Sequence, residues 1–490
     1  MVEYDYDVII AGGGMSGLLT ASAIGYYSKQ RARVLVVDRN LPDEPGKKTN
    51  NGWICGDAAS KKSIQFIESN IGIKYDYPEL EHPVKGIYVY SPDHKTKVLF
   101  EGEGYTLNRK LIPRRQVKDA KGFGVEFKFG MTAERLIADN GYIRGVEGRD
   151  KDGSPFKATA KMVIDATGSS SVLRKFNPID SYIEREIEMD DVEATGRYLL
   201  EFDRGIEDET YFTSEYCIIH LDQDIAPAGY AWVFPKGKNK VNIGLGVSKS
   251  GLDRRNRRLR MSDNLSTLID KYVKDNPCIR NGRLSANPDD QGNTKGNWQV
   301  PVRRQNDCMV ANGFALVGDA AWLPRPLDAG GIGPSMYASV ILGKVVAHAL
   351  EADDVSQEGL WPYNVEYMTT HGYQMASFEV LRRYLQTITN EQIDFGMKHF
   401  LTEEDINMIR DRKHPRFNAI QMLNPVLLMR VASQMDLAKG LRYTADKSQA
   451  LVDLNLKFPS TPKGFPDWKK KIDAEINETK KRFIPAGAAV

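Results

Sequence analysis

Near its N-terminus the chain reads Tyr6-Asp-Val-Ile-Ile-Ala-Gly12-Gly-Gly14-Met-Ser-Gly17, and a second apolar run reads Val34-Leu-Val-Val-Asp38. The first run has a β-branched centre and predicts a buried strand. The glycines after it have G-x-G-x-x-G spacing, and residues 18–27 predict a helix. A strand, a glycine turn, a helix, a second strand and an acidic residue in this order predict a βαβ unit that binds a dinucleotide.

Each residue of this motif has a physical task. Gly12 allows a sharp turn, Gly14 allows the backbone to approach a pyrophosphate, and Gly17 allows the helix to pack closely on the strand. The free N–H groups at the start of the helix would face the phosphates. Asp38 would accept hydrogen bonds from a ribose diol. The alternative is a glycine-rich turn in another kind of α/β unit.

The composition limits the class of protein. The chain has 490 residues, 41% of them hydrophobic, which is enough for two or three domains with a large core. The net charge is +2, from 67 basic and 65 acidic side chains, and this balance argues against a general nucleic-acid binder. The four cysteines and seven histidines are scattered, which predicts no metal site and a reducing compartment. We find no signal peptide and no membrane-spanning window, and therefore expect a cytoplasmic protein.

Later segments return to the buried-strand pattern. Such strands are predicted before Asp165-Ala-Thr-Gly168 and before Gly318-Asp319, whereas residues 194–247 alternate as in an antiparallel sheet. After residue 351 the pattern is helical. We predict an α/β fold with three parts: a Rossmann-like nucleotide-binding domain (residues 1–78, 106–185 and 302–350), an inserted antiparallel-sheet substrate domain (79–105 and 186–301) and a helical C-terminal region (351–490).

Together, the three nucleotide-domain motifs resemble the p-hydroxybenzoate-hydroxylase-like branch of FAD flavoproteins. The resemblance implies that Gly318-Asp319 places its acid on the ribityl chain of the flavin. It also implies that the next helix directs its N-terminus, at Gly330, Gly331 and Ile332, toward the flavin N1–C2 oxygen region, where negative charge gathers on reduction. The alternative is an NAD-only Rossmann enzyme, which would leave Gly318-Asp319 without a task.

A narrower resemblance is to the geranylgeranyl reductase family, and within it to the archaeal members. The C-G-D-x-x-S segment of the family is similar to Cys55-Gly-Asp-Ala-Ala-Ser60. Its P-x-x-Y-x-W-x-F-P…G-x-G signature is matched by Pro227-Ala-Gly-Tyr230-Ala-Trp232-Val-Phe234-Pro235 and Gly244-Leu-Gly246. The likeness extends to about residue 415. One loop departs from the family pattern P-x-x-G-G-G, because it reads Pro326-Leu-Asp-Ala329-Gly-Gly.

The resemblance implies an FAD-dependent reductase that saturates the double bonds of geranylgeranyl chains in archaeal-type lipid biosynthesis. The substrate would be a diphosphate or a glycerol-ether lipid. No second Rossmann fingerprint is present for NADPH, so a ferredoxin-like protein, NADPH and a deazaflavin all remain open as electron donors. Basic segments at Trp468-Lys-Lys-Lys471 and Lys236-Gly-Lys-Asn-Lys240 could meet the inner face of a membrane and a substrate diphosphate, respectively. Solvated surfaces are the commoner explanation of both.

Three aromatic residues alternate along one predicted strand, so the rings of Tyr230, Trp232 and Phe234 face one side. Their spacing alone favours an ordinary core, but with the resemblance we expect the wall of a long apolar cavity beside the flavin. Reduction of an isolated alkene also needs a proton. Cys55 is the best candidate for the donor, with a buried structural cysteine as the alternative, and Tyr230 is a second candidate.

The predicted site residues fall into three kinds. The catalytic candidates are Cys55, Tyr230 and Trp232, and the substrate-binding candidates are Tyr230, Trp232, Phe234, Gly244 and Gly246. Arg109 at the FAD phosphates, with Arg115 as its competitor, and Ala133 at the adenine rest on the resemblance alone. The cofactor-binding candidates are Gly12, Gly14, Met15, Ser16, Gly17, Asp38, Cys55, Gly56, Ala58, Arg109, Ala133, Gly168, Gly318, Asp319, Gly330, Gly331 and Ile332.

Two other functions remain open. A flavin-dependent monooxygenase or halogenase acting on an apolar substrate would use a similar fold. Halogenases carry a related W-x-W-x-I-P strand, however, and this chain has Tyr230 at the first position and Phe234 at the last apolar one. A flavin-containing lipid-binding protein without turnover would need the same cavity.

Overall fold

The computed structural model describes residues 4–400 and 434–484, and its strands form two sheets. Numbered along the chain, the strands of the first sheet are β1 (Tyr6–Ala11), β2 (Val34–Asp38), β6 (Glu126–Phe129), β7 (Met131–Asp139), β8 (Tyr142–Asp150), β9 (Pro155–Asp165), β16 (Val310–Ala311) and β17 (Phe314–Leu316). Those of the second are β3 (Ala58–Ser60), β4 (Leu80–Tyr90), β5 (Lys97–Leu107), β10 (Val192–Arg204), β11 (Cys217–His220), β12 (Tyr230–Pro235), β13 (Lys240–Ser248), β14 (Ile279–Leu284) and β15 (Lys295–Pro301).

Helices cover the first sheet and form the C-terminal part of the described chain. They are α1 (Met15–Tyr27), α2 (Lys61–Ile71), α3 (Leu111–Gly122), α4 (Val172–Lys175), α5 (Lys249–Leu259), α6 (Leu265–Lys274), α7 (Ile332–Glu351), α8 (Gln357–Thr370), α9 (Met375–Leu385), α10 (Asn390–His399), α11 (Met435–Leu456) and α12 (Phe465–Arg482). Short 3-10 turns lie at Met189–Asp191, Pro288–Asp290, Gly318–Ala321, Gly372–Gln374 and Pro462–Gly464.

The first sheet confirms the predicted βαβ unit. Strand β1 is parallel to β2 and to β9, and the strand order is β16-β17-β9-β1-β2-β6. The apolar run at the centre of β1 is fully buried. Helix α1 is buried along most of its length because α7 packs against it, and a Cβ added at Gly343 of α7 would lie 2.3 Å from the Cβ of Ala23.

The second sheet is largely antiparallel, as the alternating segments predict. Strands β4 and β5 form the predicted hairpin around residues 91–94, and β12 pairs with β13 across the Lys236-Gly-Lys-Asn turn. Strand β3, which the sequence did not predict, lies in the segment assigned to the nucleotide-binding domain and pairs with β5 of the second sheet. The proposed domain boundaries stay a prediction.

The described residues after 351 are helical, and their core is aromatic. Trp361 stacks on Phe458, and Trp468 packs edge-on against the same ring. Trp468 is buried, and its indole N–H donates to the Leu454 carbonyl, while Lys469 pairs with Asp307 at 2.8 Å. Packing against α11 therefore takes the Trp468 ring into the core, whereas Lys470 and Lys471 are exposed, and contact of this basic segment with a membrane stays a prediction.

A buried ion-pair cluster joins the helical region to the chain that follows the second sheet. Glu379 of α9 is fully buried and pairs with Arg304 and with Arg383, each at 3.1 Å. Arg304 also pairs with Asp307 at 2.7 Å, and Arg383 with Asp191 at 2.6 Å. These residues are far apart in sequence, so the cluster forms only when the two parts of the chain dock.

Within residues 4–400 and 434–484, no helix has both the length and the apolar character that crossing a bilayer requires. The same described ranges contain no group of three or more His, Cys, Asp or Glu side chains arranged to hold a metal ion.

Candidate active site

A cavity lies between the carboxyl ends of three parallel strands, β1, β9 and β17, and the face of the second sheet that carries β10, β12 and β15. Open α/β sheets bind ligands at this edge. The predicted residues that line the cavity are Gly14, Met15, Ser16, Cys55, Gly56, Arg109, Gly168, Tyr230, Trp232, Phe234, Gly318, Asp319, Gly331 and Ile332. Those outside the lining are Gly12, Gly17, Asp38, Ala58, Ala133, Gly244, Gly246 and Gly330.

The three motif glycines differ in what surrounds them. Gly12 has φ +110°, and a Cβ there would lie 2.3 Å from the Ala166 carbonyl oxygen. A Cβ at Gly17 would lie 2.1 Å from the Gly12 carbonyl oxygen, so both positions need glycine for the fold itself. A Cβ at Gly14 would meet nothing within 4 Å, although Gly14 lines the cavity. The free space therefore lies where a bound group would approach the backbone.

Two helix N-termini open onto the cavity without side-chain caps. Helix α1 begins after Gly14 and α7 after Gly331, and neither N-cap residue accepts a hydrogen bond on a side chain. The first N–H groups of a helix have no partner inside it, and the helix dipole adds positive potential there. The cavity therefore has two places that stabilise negative charge.

The acid at the end of β2 is placed differently from the other motif residues. Asp38 is 4% exposed, and its carboxylate accepts hydrogen bonds from the N–H groups of Asn40 and Gly46, both at 2.8 Å. Burial raises the pKa of Asp38, and these donors offset part of that effect. In this structure the carboxylate ties down the following loop, and its role at a ribose stays a prediction.

Asp319 lies at the cavity beside a lysine that the sequence did not single out. Lys48 Nζ is 3.5 Å from Asp319 Oδ2, and both residues line the cavity. The preceding Gly318 has φ +69°, and a Cβ there would lie 2.5 Å from Ser16 Oγ. Lys48 belongs to no recognisable motif, and Asp319 lies 271 residues further along the chain, so the two side chains meet only in the folded protein.

The predicted aromatic row faces the cavity. Neighbouring ring centroids are 6.1 Å apart for Tyr230 and Trp232 and 6.2 Å apart for Trp232 and Phe234. The Tyr230 hydroxyl donates to the Asp328 carbonyl at 2.5 Å, and the Trp232 indole N–H donates to Asn242 Oδ1 at 3.0 Å. A Cβ at Gly244 would lie 2.6 Å from Trp232 Cζ2, so this glycine makes room for the indole.

Cys55 lines the cavity at the Phe234 end of this row. Asn242, which pairs with Phe234 across the strands, donates to the Cys55 carbonyl at 2.8 Å. The amide N–H of the buried Asp57 lies 3.4 Å from Cys55 Sγ. Cys55 thus belongs to the wall of the cavity and is half-buried, unlike the three other cysteines, which are buried elsewhere.

The basic turn after β12 is not a free cationic surface. Lys236 is buried and pairs with Asp57 at 3.2 Å and with Glu81 at 2.8 Å. Lys240 pairs with Glu81 at 2.6 Å and with Asp290 at 2.5 Å. Internal carboxylates therefore already neutralise Lys236 and Lys240, so the prediction that these two lysines meet a substrate diphosphate is wrong. For the exposed Lys238 of the same turn it stays a prediction.

The two competing arginines lie in different places. Arg109 lines the cavity, where its guanidinium contacts Met15 and lies 4.0 Å from Asp57. Arg109 Nε is buried and has no hydrogen-bond partner among the described residues. Arg115 instead pairs with Asp119 at 2.8 Å on α3, outside the cavity lining.

The loop that departs from the family pattern has a left-handed residue where glycine is usual. Ala329 has φ +52°, and it lines the cavity next to Gly331. The backbone therefore takes a glycine-like conformation with alanine, at a cost of about 1 kcal/mol. Sequence reasoning missed several further lining residues, among them Trp53, Thr195 and Trp298. Only the alternation of side chains along the predicted strand that contains Thr195 could have indicated that this residue faces the cavity.

Comparison with known proteins gives the same picture. The family model for the geranylgeranyl reductase catalytic domain matches residues 191–282. The digeranylgeranylglycerophospholipid reductase of Sulfolobus acidocaldarius is 31% identical over 98% of this chain and 99% of its own. A geranylgeranyl bacteriochlorophyll reductase-like protein from Thermoplasma acidophilum has a TM-score of 0.67 at 22% identity, covering 88% of this chain and 99% of its own. The myxobacterial chondrochloren halogenase, FAD-dependent, has a TM-score of 0.61 at 15% identity over 92% and 97%.

The two-sheet fold, with its glycine turn and cavity at the strand ends, defines an α/β protein with the same fold as these two solved structures. Within that fold class, the chain belongs to the geranylgeranyl reductase family. It is an oxidoreductase that acts on carbon–carbon double bonds. The predicted fold class, family and enzyme class are confirmed.

Proposed function

We propose that this protein uses FAD to saturate the geranylgeranyl chains of digeranylgeranylglycerophospholipid in archaeal lipid synthesis. The relative from Sulfolobus acidocaldarius bears the name of that reaction and matches this chain over nearly its whole length. The observation that carries the proposal is the shared cavity: the glycine turn of the first sheet and the aromatic row of the second face the same space. A polar cofactor and an apolar chain would therefore meet there.

The residues of the cavity fit FAD. The open space at Gly14 and the uncapped start of α1 suit a diphosphate. The Nε of Arg109, which forms no hydrogen bond with any described residue, is a further donor nearby. The uncapped start of α7 would stabilise the negative charge that a flavin ring gains on reduction. When bound and reduced, FAD would supply hydride to one carbon of the double bond.

The protein's own residues would then position the alkene and exclude water. Trp232 and Phe234 are buried, and their rings lie side by side in a row along which an extended isoprenoid chain could lie. Holding the double bond against this row lowers the entropy cost of the reaction. Cys55 lines the same cavity, and its thiol would supply the proton for the second carbon.

The function is tested by chemically reducing the FAD-loaded protein without oxygen and adding the unsaturated phospholipid. We expect a mass gain of two units per reduced double bond in the product. Geranylgeranyl diphosphate, added in a parallel reaction, distinguishes the two substrate classes. Oxygenated product after admission of air would instead indicate a monooxygenase, and reoxidation without product would overturn the proposal. The electron donor is then found by supplying ferredoxin, NADPH or a deazaflavin in place of the chemical reductant.

Replacing Cys55 with serine is expected to abolish most turnover but to leave FAD binding intact. A serine hydroxyl fills nearly the same space but is a far weaker acid than a thiol. The measurement is single-turnover reduction of the lipid together with the flavin absorbance of the purified variant. Cys217→Ser is the matched control, since Cys217 is buried and does not line the cavity. Full activity of Cys55→Ser would make Cys55 a structural residue.

A further inference from the structure

A buried carboxyl group stands at the other end of the aromatic row, at Glu193. This residue of β10 is 4% exposed. Thr195, two residues along the same strand, lines the cavity, and so does Val300, which pairs directly with Glu193 on β15. Side chains two apart on a strand, or directly opposite one another, share a face of the sheet. Glu193 therefore lies on the same face as the cavity wall, next to lining residues, although its own side chain is not part of the lining.

The position of the carboxyl is set by a glycine of the family signature. Gly246 pairs with Tyr230 on one side and with Thr195 on the other. A Cβ added at Gly246 would lie 3.2 Å from Glu193 Oε2 and 3.4 Å from Thr195 Cγ2. The Glu193 carboxyl thus lies against Gly246. The Cα atoms of Gly246 and its paired residue Tyr230 are only about 5 Å apart. The absent side chain leaves room for the acid beside the tyrosine.

Within residues 4–400 and 434–484, no cation forms an ion pair with this acid. Its one hydrogen bond among the described residues comes from Gln386 Nε2, at 3.5 Å. The charge of Arg382 on α9 acts on Glu193, but this guanidinium pairs with Asp191 at 2.5 Å. The directly paired residues on β13 and β15 are Ser248 and Val300, neither of them charged.

Burial raises the pKa of Glu193 to about 7, and Arg382 offsets only part of that effect. Glu193 also acts on Tyr230, whose own pKa is raised well above its usual value by burial, with further contributions from Asp328 and Glu193. An unpaired buried acid costs stability, and such groups are concentrated where proteins transfer protons.

We propose that Glu193 is the proton reserve of the active site and replaces the proton that each reduction consumes. The inference rests on the proposed function. During reduction, the S–H bond of Cys55 breaks and a C–H bond forms on one alkene carbon, while the other carbon receives the hydride. Between turnovers, the O–H bond of the Glu193 carboxyl breaks and its proton passes through water in the cavity to the Cys55 thiolate. Bulk water then reprotonates the carboxylate.

The first test does not depend on activity. Infrared difference spectra of wild type against Glu193→Gln, recorded from pH 4 to 9, isolate the C=O stretch of this protonated carboxyl. We expect the band to disappear with a midpoint near pH 7. In addition, the thermal midpoint of Glu193→Gln should rise relative to wild type as the pH increases from about 4 to 7. Over this range the wild-type carboxyl ionises in the unfolded chain but stays protonated in the fold, which lowers the stability of wild type alone. A midpoint near the ordinary glutamate pKa of about 4.3 would overturn the proposal.

The second test is the pH profile of steady-state lipid reduction. Wild type should lose rate above about pH 7, whereas Glu193→Gln should be about 100-fold slower at pH 6 and nearly independent of pH through that range. Glu193→Asp should recover part of both the rate and the pH dependence. Glu201→Gln is the control on the same strand, because Ser285 Oγ and the Ala286 N–H already bind that carboxylate. Wild-type rate and pH profile in Glu193→Gln would refute the role of Glu193. Absence of any lipid reduction by wild type would refute the proposed function instead, and the infrared midpoint would still decide the state of Glu193.

Discussion

Replacing Glu379 with glutamine is expected to lower the free energy of unfolding by about 3 kcal/mol. Glu379 is fully buried between Arg304 and Arg383, both at 3.1 Å. Glutamine has nearly the same shape but no charge, so part of the guanidinium charge is left buried and uncompensated. Arg304 keeps Asp307 as a partner, which limits the loss. The measurement is the urea midpoint at pH 7, followed by far-ultraviolet circular dichroism.

This effect should depend on pH with a definite sign. Burial alone would raise the pKa of Glu379, but Arg304 and Arg383 outweigh it and hold the pKa well below the usual value. The stabilisation is therefore present above the unfolded-state pKa of about 4.3 and is lost as the pH falls below it. The difference between wild type and variant should shrink accordingly from pH 5 downward. A difference that grows in acid would contradict the assignment of this cluster.

A surface pair provides the control for the Glu379 experiment. Glu366 lies 3.8 Å from Lys344, and both side chains are about 40% exposed (39% and 43%). Solvent screens such pairs, so Glu366→Gln should change the free energy of unfolding by less than about 1 kcal/mol. If both variants lost the same free energy of unfolding, the charge of the buried Glu379 would contribute no more to stability than that of an exposed carboxylate.

Replacing Gly14 with alanine is expected to weaken FAD binding by about 100-fold and to leave the fold of the apoprotein intact. Gly14 has φ −75°, and the added methyl would meet no protein atom within 4 Å. The methyl would instead occupy space beside the helix N-terminus that a diphosphate needs. Loss of two charge-assisted hydrogen bonds costs about 3 kcal/mol, which corresponds to that factor. The measurement is calorimetric titration of apoprotein with FAD.

Gly102→Ala is the matched control for this variant, because an added Cβ there also meets nothing within 4 Å and Gly102 lies outside the cavity. It should bind FAD as wild type does. Gly12→Ala should fail in a different way, by losing the fold, since its methyl would collide with the Ala166 carbonyl. Wild-type FAD affinity in Gly14→Ala would mean that the diphosphate is not held at this turn.

Much of the fold could be predicted because its signals are local. The βαβ unit, the hairpin of β4 and β5 and the helical C-terminal part each follow from short periodic patterns and turn residues. Strand β3, by contrast, was not predicted from the sequence. Its three residues are too few to carry a pattern, and pairing with β5 depends on how the intervening chain folds back.

The site was predictable to the extent that its residues lie in motifs. Cys55, Arg109, Asp319 and the aromatic row were each singled out and line one cavity. The charged side chains behaved differently. Lys236 looked like a basic surface residue but is neutralised by Asp57 and Glu81. No sequence pattern predicts that Asp57 and Glu81 pair with Lys236.

The sequence by itself determined the glycine turn and the common face of the three aromatic rings, because both depend on backbone spacing over a few residues. Only the tertiary structure decided which charges are free. Lys236 and Glu193 are ordinary charged residues in the sequence. In the fold Lys236 pairs with Asp57, whereas Glu193 is buried with one hydrogen bond, from Gln386, among the described residues. The charge state of a side chain depends on its burial and on partners from distant strands, and these exist only after the chain has folded.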